Sequence, residues 1–160
     1  MPPHADTSTQ AVEFTLDAVP VLARPGETLL EAARRSGVEI PSLCDARGLR
    51  PDGNCRACVV EIEGERALAA SCCRRPVPGM RVTSASERVR ASRTMVVELL
   101  LADTRAVGAH ADDELRMWAA RLGADGRRFE ARAALTADLS HPAIAFDPGA
   151  CIACGRCVRA

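Results

Sequence analysis

The stretch LCDARGLRPDGNCRACVVEIEG, residues 43–64, carries three cysteines and decides how the rest of the chain is interpreted. Its first part is rich in Gly, Pro, Asp and Asn, which predicts a loop. From Val59 a β-branched run leads to Glu63-Gly64-Glu65, which predicts a strand and a hairpin turn, with a return strand over 67–70. A cysteine-bearing loop that runs directly into a hairpin is therefore the centre of the predicted fold.

The elements predicted around this loop make a small α+β fold. Alternating apolar residues predict two short strands within 13–23, EFTLDAVPVLA. The segment TLLEAARRSG predicts a helix with Thr28 and Glu31 as a capping box and Gly37 as its left-handed end. One more strand is predicted around 80–83. Strand, strand, helix, loop, hairpin and strand in this order predict a roll rather than a βαβ unit.

The period of the apolar residues changes to a helical one after Ser84. Ser84 and Glu87 predict a second capping box at the start of a helix. A further helix is predicted from Asp112 to Leu122, ending at Gly123, and the polar stretch 124–147 is predicted to be a linker with little regular structure. The apolar residues at helical spacing in the first of these helices are Val89, Met95, Val96, Leu99 and Leu100.

The sequence predicts four parts in the chain. Residues 1–10 are predicted to be disordered, because they are polar and have little to bury. Residues 11–84 form the α+β domain, 85–123 a helical segment, and 124–160 a linker with a second cysteine motif.

The composition excludes several classes of function. The 160 residues contain 21 basic and 21 acidic side chains, so no net field attracts nucleic acid or an anionic membrane. Aromatic residues make up 2% of the chain, too few for a base-stacking surface. Neither a signal peptide nor a membrane-spanning run is visible, which predicts a cytoplasmic protein. In that compartment, eight cysteines predict metal ligands or redox centres before disulfides.

Four of the cysteines follow the pattern C-x10-C-x2-C-x13-C, which can hold a 2Fe-2S cluster. Small residues in the loop, such as Gly53, Asn54 and Ala57, would let backbone N–H groups approach the electron-rich sulfurs. The close spacing of the second and third cysteines predicts that these two bind one iron. The four residues are Cys44, Cys55, Cys58 and Cys72.

Other interpretations of these cysteines stay open at this point. Four thiolates also bind zinc, although structural zinc sites usually have two close pairs. Disulfides would need an exported protein. Cys73 stands beside Cys72 and is an alternative fourth ligand; since neighbouring residues of extended backbone face opposite ways, only one of the two is expected to point inward.

The segments LCDARGLRPDGNCRACVVEIEG, AASC and PVPGMRV together resemble a known 2Fe-2S ferredoxin-like domain. It stands at the N-terminus of the large iron–sulfur subunit of NADH-quinone oxidoreductase, the diaphorase subunit of NAD-reducing hydrogenases, and the alpha subunit of NAD-dependent molybdenum formate dehydrogenases. The resemblance implies a β-grasp fold and favours Cys72 over Cys73 as the fourth ligand. It also implies redox partner subunits: a flavin/NADH-binding subunit and a molybdenum or hydrogenase catalytic unit.

The middle of the chain resembles the same group with one redox centre removed. In these relatives a helix ending in LLL is followed by a His and three Cys that hold a 4Fe-4S cluster. Here LLLADTRAVGAHADDELRMWAARLG, residues 99–123, contains no cysteine and keeps only His110. A lone histidine is not a cluster site, so His110 is predicted to be a solvated loop residue.

The C-terminal stretch LSHPAIAFDPGACIACGRCVRA resembles the beginning of the two-cluster ferredoxin module of this group, with the formate dehydrogenase alpha subunit closest. Cys151, Cys154 and Cys157 match the first three ligands of a C-x2-C-x2-C-x3-C motif for a 4Fe-4S cluster, and the fourth ligand is missing. Three explanations stay open: a fragment of a longer subunit, a natural truncation with a vestigial site, or a ligand supplied by a partner chain or by Cys73.

The predicted function is therefore electron transfer without catalysis in this chain. No G-x-G-x-x-G or P-loop motif is present, and no acid/base pair stands out. The chain is predicted to be an iron–sulfur module of an NAD-linked formate dehydrogenase, hydrogenase or NADH dehydrogenase complex. The rival prediction is a non-redox zinc module that binds a partner protein.

Overall fold

The computed structural model describes residues 10–104, 113–133 and 135–160. Most of the segment predicted to be disordered, residues 1–9, and the histidine at position 110 lie outside the described residues.

A mixed five-stranded sheet with the strand order β2-β1-β5-β3-β4 forms the first half of the chain. The central strands β1 and β5 run parallel, and each of the other neighbouring pairs is antiparallel. Helix α1, Leu29–Arg35, packs its apolar side into the core that this sheet forms. The predicted α+β class is confirmed. The strands are β1 Val12–Leu16, β2 Val19–Ala23, β3 Val59–Ile62, β4 Ala69–Ala70 and β5 Arg81–Thr83.

The first hairpin forms because its strands alternate and its turn tolerates left-handed backbone. Phe14 and Leu16 of β1 are buried, and the register pairs Phe14 with Val21 of β2. Asp17 and Ala18 have positive φ angles of 50° and 66°, which is the backbone of a two-residue hairpin turn that matches the twist of the strands.

Helix α1 has the predicted capping box. The Thr28 hydroxyl accepts a hydrogen bond from the Glu31 amide (3.2 Å), and the Glu31 carboxylate accepts one from the Thr28 amide (2.7 Å). The helix ends at Ser36, and Gly37 follows with a φ of 77°, as predicted. The cap fixes the direction in which α1 enters the core, and with it the start of the cysteine loop.

Replacing Thr28 by alanine is expected to lower the free energy of unfolding by about 1 kcal/mol, because two reciprocal bonds at the helix N-terminus are lost. Thermal unfolding followed by circular dichroism measures the effect as a lower Tm. Glu31→Gln is the control, since glutamine keeps the box. A Thr28→Ala protein that melts at the wild-type temperature would show that the cap contributes nothing.

Helix α2, Glu87–Asp103, begins two residues later than predicted. Its N-cap is Ser86, whose hydroxyl accepts from the Val89 amide at 3.2 Å. Ser84 instead binds Asp17 in the first hairpin turn, through its amide (2.7 Å) and its hydroxyl (2.5 Å). The predicted capping box of Ser84 and Glu87 is therefore wrong, because a tertiary partner takes the Ser84 side chain.

The buried face of α2 does not coincide with its apolar residues at helical spacing. Met95 and Leu99 are exposed. Two charged side chains are buried instead, because the helix has partners for them in other elements. Glu98 pairs with Arg128 at 2.8 Å, and Arg93 donates to a carbonyl of β3. The buried residues of the helix are Val89, Arg93, Val97 and Glu98.

Helix α3, Glu114–Leu122, has Asp113 as its N-cap and Gly123, with a φ of 66°, as its C-cap. The predicted end at Leu122 and the stop at Gly123 are confirmed, and the predicted first residue, Asp112, lies outside the described residues. The helix packs on α2 and closes a second apolar cluster, which reaches back to the cysteine loop. The buried members of that cluster are Leu43, Ala57, Val97, Leu115 and Ala119.

The region 124–147, predicted to have little regular structure, contains an antiparallel hairpin of β6, Asp138–His141, and β7, Ile144–Phe146. The prediction is wrong because proline at position 142 lies in the turn of this hairpin rather than interrupting a strand. A short 3-10 helix at Pro148–Ala150 and helix α4, Arg156–Arg159, complete the chain. None of the helices in the described part of the chain has the length and apolar character needed to cross a bilayer.

Candidate metal centre

The first four predicted ligands come from three neighbouring points of the α+β fold. Cys44 lies in the segment after α1, Cys55 and Cys58 end the loop directly before β3, and Cys72 follows β4. Cys55 is partly exposed and the other three are buried. The antiparallel pairing of β3 with β4 aligns Val59 with Ala70 and so brings the third and fourth cysteines together.

Cys58 and Cys72 form one close pair of sulfurs, with their Sγ atoms 3.4 Å apart. The contact with the Cys72 side chain lowers the pKa of Cys58 to about 6. The same contact, together with burial, raises the pKa of Cys72. The hydroxyl of Ser71 donates to the Cys58 carbonyl at 2.7 Å and fixes the backbone between the two strands. The two sulfurs therefore lie together inside the core that the sheet and α1 form.

Cys44 and Cys55 form the other pair. The Cys55 amide donates to the Cys44 sulfur at 3.4 Å. Burial raises the pKa of Cys55, while the amide of Ala57 acts in the opposite direction. These contacts pair Cys44 with Cys55 and Cys58 with Cys72. The spacing alone had instead predicted that Cys55 and Cys58 bind the same iron.

The arrangement of these sulfurs is pairwise. Within residues 10–104, 113–133 and 135–160, no three His, Cys, Asp or Glu side chains converge on the position of one metal ion. Two pairs of thiols fit a 2Fe-2S cluster, because each of its two irons binds two cysteine thiolates.

The loop backbone gives the close approach that iron–sulfur sites require. Gly53 has a φ of 66°, and a Cβ at this position would lie 3.0 Å from the Cys73 sulfur. Ala57 is completely buried, and its amide faces the Cys55 sulfur. Ala57 fits the predicted small-residue cradle, because its amide acts on Cys55. The close sulfur neighbour of Gly53 is Cys73, the alternative fourth ligand, rather than one of the four predicted ligands. The thiolate donor set suits a 2Fe-2S cluster.

Cys73 occupies a different position from Cys72. It is exposed, whereas Cys72 is buried, and their sulfurs are 3.6 Å apart. Only one of the two therefore points into the core, as their adjacency predicts.

The second set of cysteines is more exposed than the first. Cys151 and Cys154 are partly buried, and Cys157 is exposed. The amide of Ala153 donates to the Cys151 sulfur at 3.3 Å, the same kind of N–H to sulfur contact as in the first loop.

Two arginines of this C-terminal segment bind the backbone of the first cysteine loop. Arg159 donates to the carbonyls of Cys44 and, at 2.6 Å, of Arg50. Arg156 donates to the Asp45 carbonyl at 2.8 Å. The segment that carries the second set of cysteines is thus attached directly to a loop that carries the first.

A third contact comes from the loop itself. The side-chain amide of Asn54, predicted only as a small loop residue, donates to the Ala153 carbonyl at 2.9 Å. The sequence gives no signal for these contacts, because their acceptors are main-chain carbonyls about 100 residues away along the chain.

Behind the first site lies a buried cation that the sequence also does not reveal. Arg93 of α2 is 4% exposed and donates through Nε (3.1 Å) and Nη2 (2.7 Å) to the carbonyl of Val59, the residue after Cys58. Burial lowers the pKa of Arg93 to about 10, so the guanidinium remains charged at neutral pH. The negative charge of Cys58 supports that charged state.

With the geometry in place, comparison with known proteins identifies the class. Residues 9–87 match the family described as "2Fe-2S iron-sulfur cluster binding domain". The N-terminal half of the chain therefore belongs to the family of 2Fe-2S cluster binding domains, and the expected ferredoxin-like fold and 2Fe-2S cofactor are confirmed.

Curated relatives extend the similarity over nearly the whole chain. The NADPH-Fe(3+) oxidoreductase subunit alpha of Geobacter sulfurreducens is 34% identical over 157 residues, which cover 92% of this chain and 18% of that protein. The mitochondrial NADH-ubiquinone oxidoreductase 78 kDa subunit of Candida albicans is 34% identical over 155 residues, 92% of this chain and 22% of that protein. The putative formate dehydrogenase YrhE of Bacillus subtilis is 27% identical over 159 residues, which cover 94% of this chain and 16% of that protein.

A solved structure shows the same fold. One chain of the NAD+-reducing [NiFe]-hydrogenase in its H2-reduced state superposes with a TM-score of 0.83 and 37% identity, covering 93% of this chain and 65% of that one. The resemblance read from the cysteine loop is thereby confirmed. The chain spans about a fifth of the length of the curated relatives it matches.

Proposed function

We propose that this chain is an iron–sulfur electron-transfer module of an NAD-linked oxidoreductase complex. The observation that carries the proposal is the pairing of the four cysteines inside a domain that matches a 2Fe-2S binding family. The Cys55 amide bonds the Cys44 sulfur, and the sulfurs of Cys58 and Cys72 are in contact. The relatives bear the names of NADPH-, NADH- and formate-linked enzymes and of a hydrogenase, which supports the NAD-linked assignment.

Each cysteine of the first site has a distinct role in the proposal. Cys44 and Cys55 bind one iron, and Cys58 and Cys72 bind the other. The bound cluster supplies a one-electron carrier, whose potential in this class is low, on the order of −400 mV. The buried positions of three of these cysteines exclude water, and the loop amides donate to sulfur and stabilise the negative charge there.

The second set of cysteines is proposed to belong to a 4Fe-4S site whose fourth ligand is none of Cys151, Cys154 or Cys157. The contacts of Arg156 and Arg159 with the first loop support this proposal, because they hold the two cysteine segments side by side. Adjacent cofactors are what a relay of single electrons needs. The division of the chain at residues 10, 84 and 123 stays a prediction.

The partners follow from the same reasoning. A flavin/NADH-binding subunit and a molybdenum or hydrogenase catalytic unit would exchange electrons with the two sites. Two of the curated relatives are named as subunits, which supports an assembly of several chains. The module would work in the cytoplasm, where a reducing environment keeps its thiols available.

Metal analysis of the protein tests the proposal. Purified without oxygen, the variant with Cys151, Cys154 and Cys157 all changed to serine is expected to be red-brown and to hold about two irons and two acid-labile sulfides per chain. The triple change isolates the first site. One zinc per chain with no visible absorption would overturn the proposal and establish the zinc module. The wild-type chain, measured in parallel, shows how much iron the second site adds.

A further inference from the structure

One buried charged group outside the cysteines has no part in the proposed function. Arg93 is a buried guanidinium on α2, outside the matched domain of residues 9–87. A buried charge is normally paired, because the desolvation of an unpaired ion costs several kcal/mol. In the described part of the chain no carboxylate forms an ion pair with Arg93, and the other buried charge of the helix, Glu98, pairs with Arg128.

The hydrogen bonds of Arg93 point to the reason. Both Nε and Nη2 donate to a single acceptor, the carbonyl of Val59, which lies in the backbone that continues directly from Cys58. One neutral carbonyl does not neutralise a guanidinium. Two negative charges act on Arg93, that of Cys58 and, less strongly, that of Asp17. The Asp17 carboxylate is already bound by the amide and the hydroxyl of Ser84. The carbonyl that Arg93 holds belongs to the strand that continues from Cys58, so the cation faces the first cysteine site.

We propose that Arg93 is the counter-charge of the 2Fe-2S cluster, a positioning residue that holds the strand after Cys58 and raises the reduction potential of the site. The inference rests on the proposed function. Four thiolates and two sulfides leave the loaded site with net negative charge, and reduction adds one more electron. A fixed cation in a buried, weakly screened environment stabilises the reduced state more than the oxidised state. Without this cation, reduction of the cluster is less favourable, so the reduction potential is lower.

The test is a redox titration of the assembled protein, with dithionite as the reductant and the EPR signal of the reduced cluster as the readout. Arg93→Gln keeps a donor for the Val59 carbonyl and removes the charge. At a fixed ambient potential, the ratio of reduced to oxidised cluster is expected to fall at least tenfold, which is about 59 mV for a one-electron couple. Arg93→Lys keeps the charge and is expected to stay close to the wild-type potential.

Arg90 supplies the matched control, because it lies on the same helix and is exposed. Arg90→Gln removes the same charge and is expected to leave the potential unchanged, since water and salt screen it. The difference between Arg93→Gln and wild type should persist at high ionic strength, because a buried charge is screened weakly.

Each outcome decides between the two proposals. If the wild-type chain assembles no 2Fe-2S cluster, the proposed function and this inference both fail. If Arg93→Gln assembles a normal cluster at the wild-type potential, only the inference is overturned. If Arg93→Gln does not assemble but Arg93→Lys does at the wild-type potential, the charge is required and the inference holds. If neither assembles while Arg90→Gln does, the side chain is merely structural and the inference is overturned.

Discussion

Replacing Cys72 by serine is expected to abolish the EPR signal of the reduced 2Fe-2S cluster, whereas Cys73→Ser leaves it intact. Cys72 is buried with its sulfur 3.4 Å from that of Cys58, so its loss leaves one iron with a single thiolate. Cys73 is exposed and points away from the core. The measurement is the spin per chain after anaerobic reduction, together with iron and sulfide content.

Cys73→Ser is the matched control, because it makes the same chemical change one residue away. Loss of the signal in Cys73→Ser with retention in Cys72→Ser would reverse the ligand assignment. Retention in both single variants with loss in the double variant would mean that the two thiols, 3.6 Å apart, substitute for each other, and it would equally contradict the assignment of Cys72 alone.

Replacing Phe14 by alanine is expected to destabilise the first domain by about 3–5 kcal/mol, because the change leaves a cavity that the surrounding strands cannot close. Phe14 is 1% exposed and lies in the core between the sheet and α1. The Tm of the cluster-loaded protein should fall by roughly 10 °C for a chain of this size.

The control for this prediction stands on the neighbouring strand. Leu22 is 60% exposed, so Leu22→Ala removes an apolar side chain of similar type and should change the free energy of unfolding by less than about 0.5 kcal/mol. Equal effects from both variants would mean that Phe14 is not part of the core that holds the cysteine loop.

Local features of the sequence predicted much of the fold. The capping box of Thr28 with Glu31 and the stop at Gly123 were confirmed, because each depends on residues only a few positions apart. The hairpin after the cysteine loop was confirmed for the same reason. Where the partner lies far away, prediction failed: Ser84 binds Asp17, 67 residues earlier, and so does not cap α2.

The sequence also did not predict which side chains of α2 are buried. Apolar spacing predicted a helix that includes Met95 and Leu99, but both are exposed and α2 buries Arg93 and Glu98. A charged side chain is buried only where the surface packed against it supplies a hydrogen-bond or ion-pair partner. For α2 these partners are the Val59 carbonyl, which binds Arg93, and the Arg128 guanidinium, which pairs with Glu98. The periodicity of α2 does not reveal either partner.

The sequence by itself determined the kind of domain: the cysteine spacing and the loop between 43 and 64 were enough to predict a 2Fe-2S domain, because ligand type and loop composition are local properties. Only the tertiary structure decided how the cysteines are grouped. It places Cys58 against Cys72 because β3 pairs with β4, and it sets Arg93 behind them because α2 packs on β3. Arg159 binds the Cys44 loop through a main-chain carbonyl. Contacts of this kind arise only when distant segments meet, so no pattern along the chain encodes them visibly.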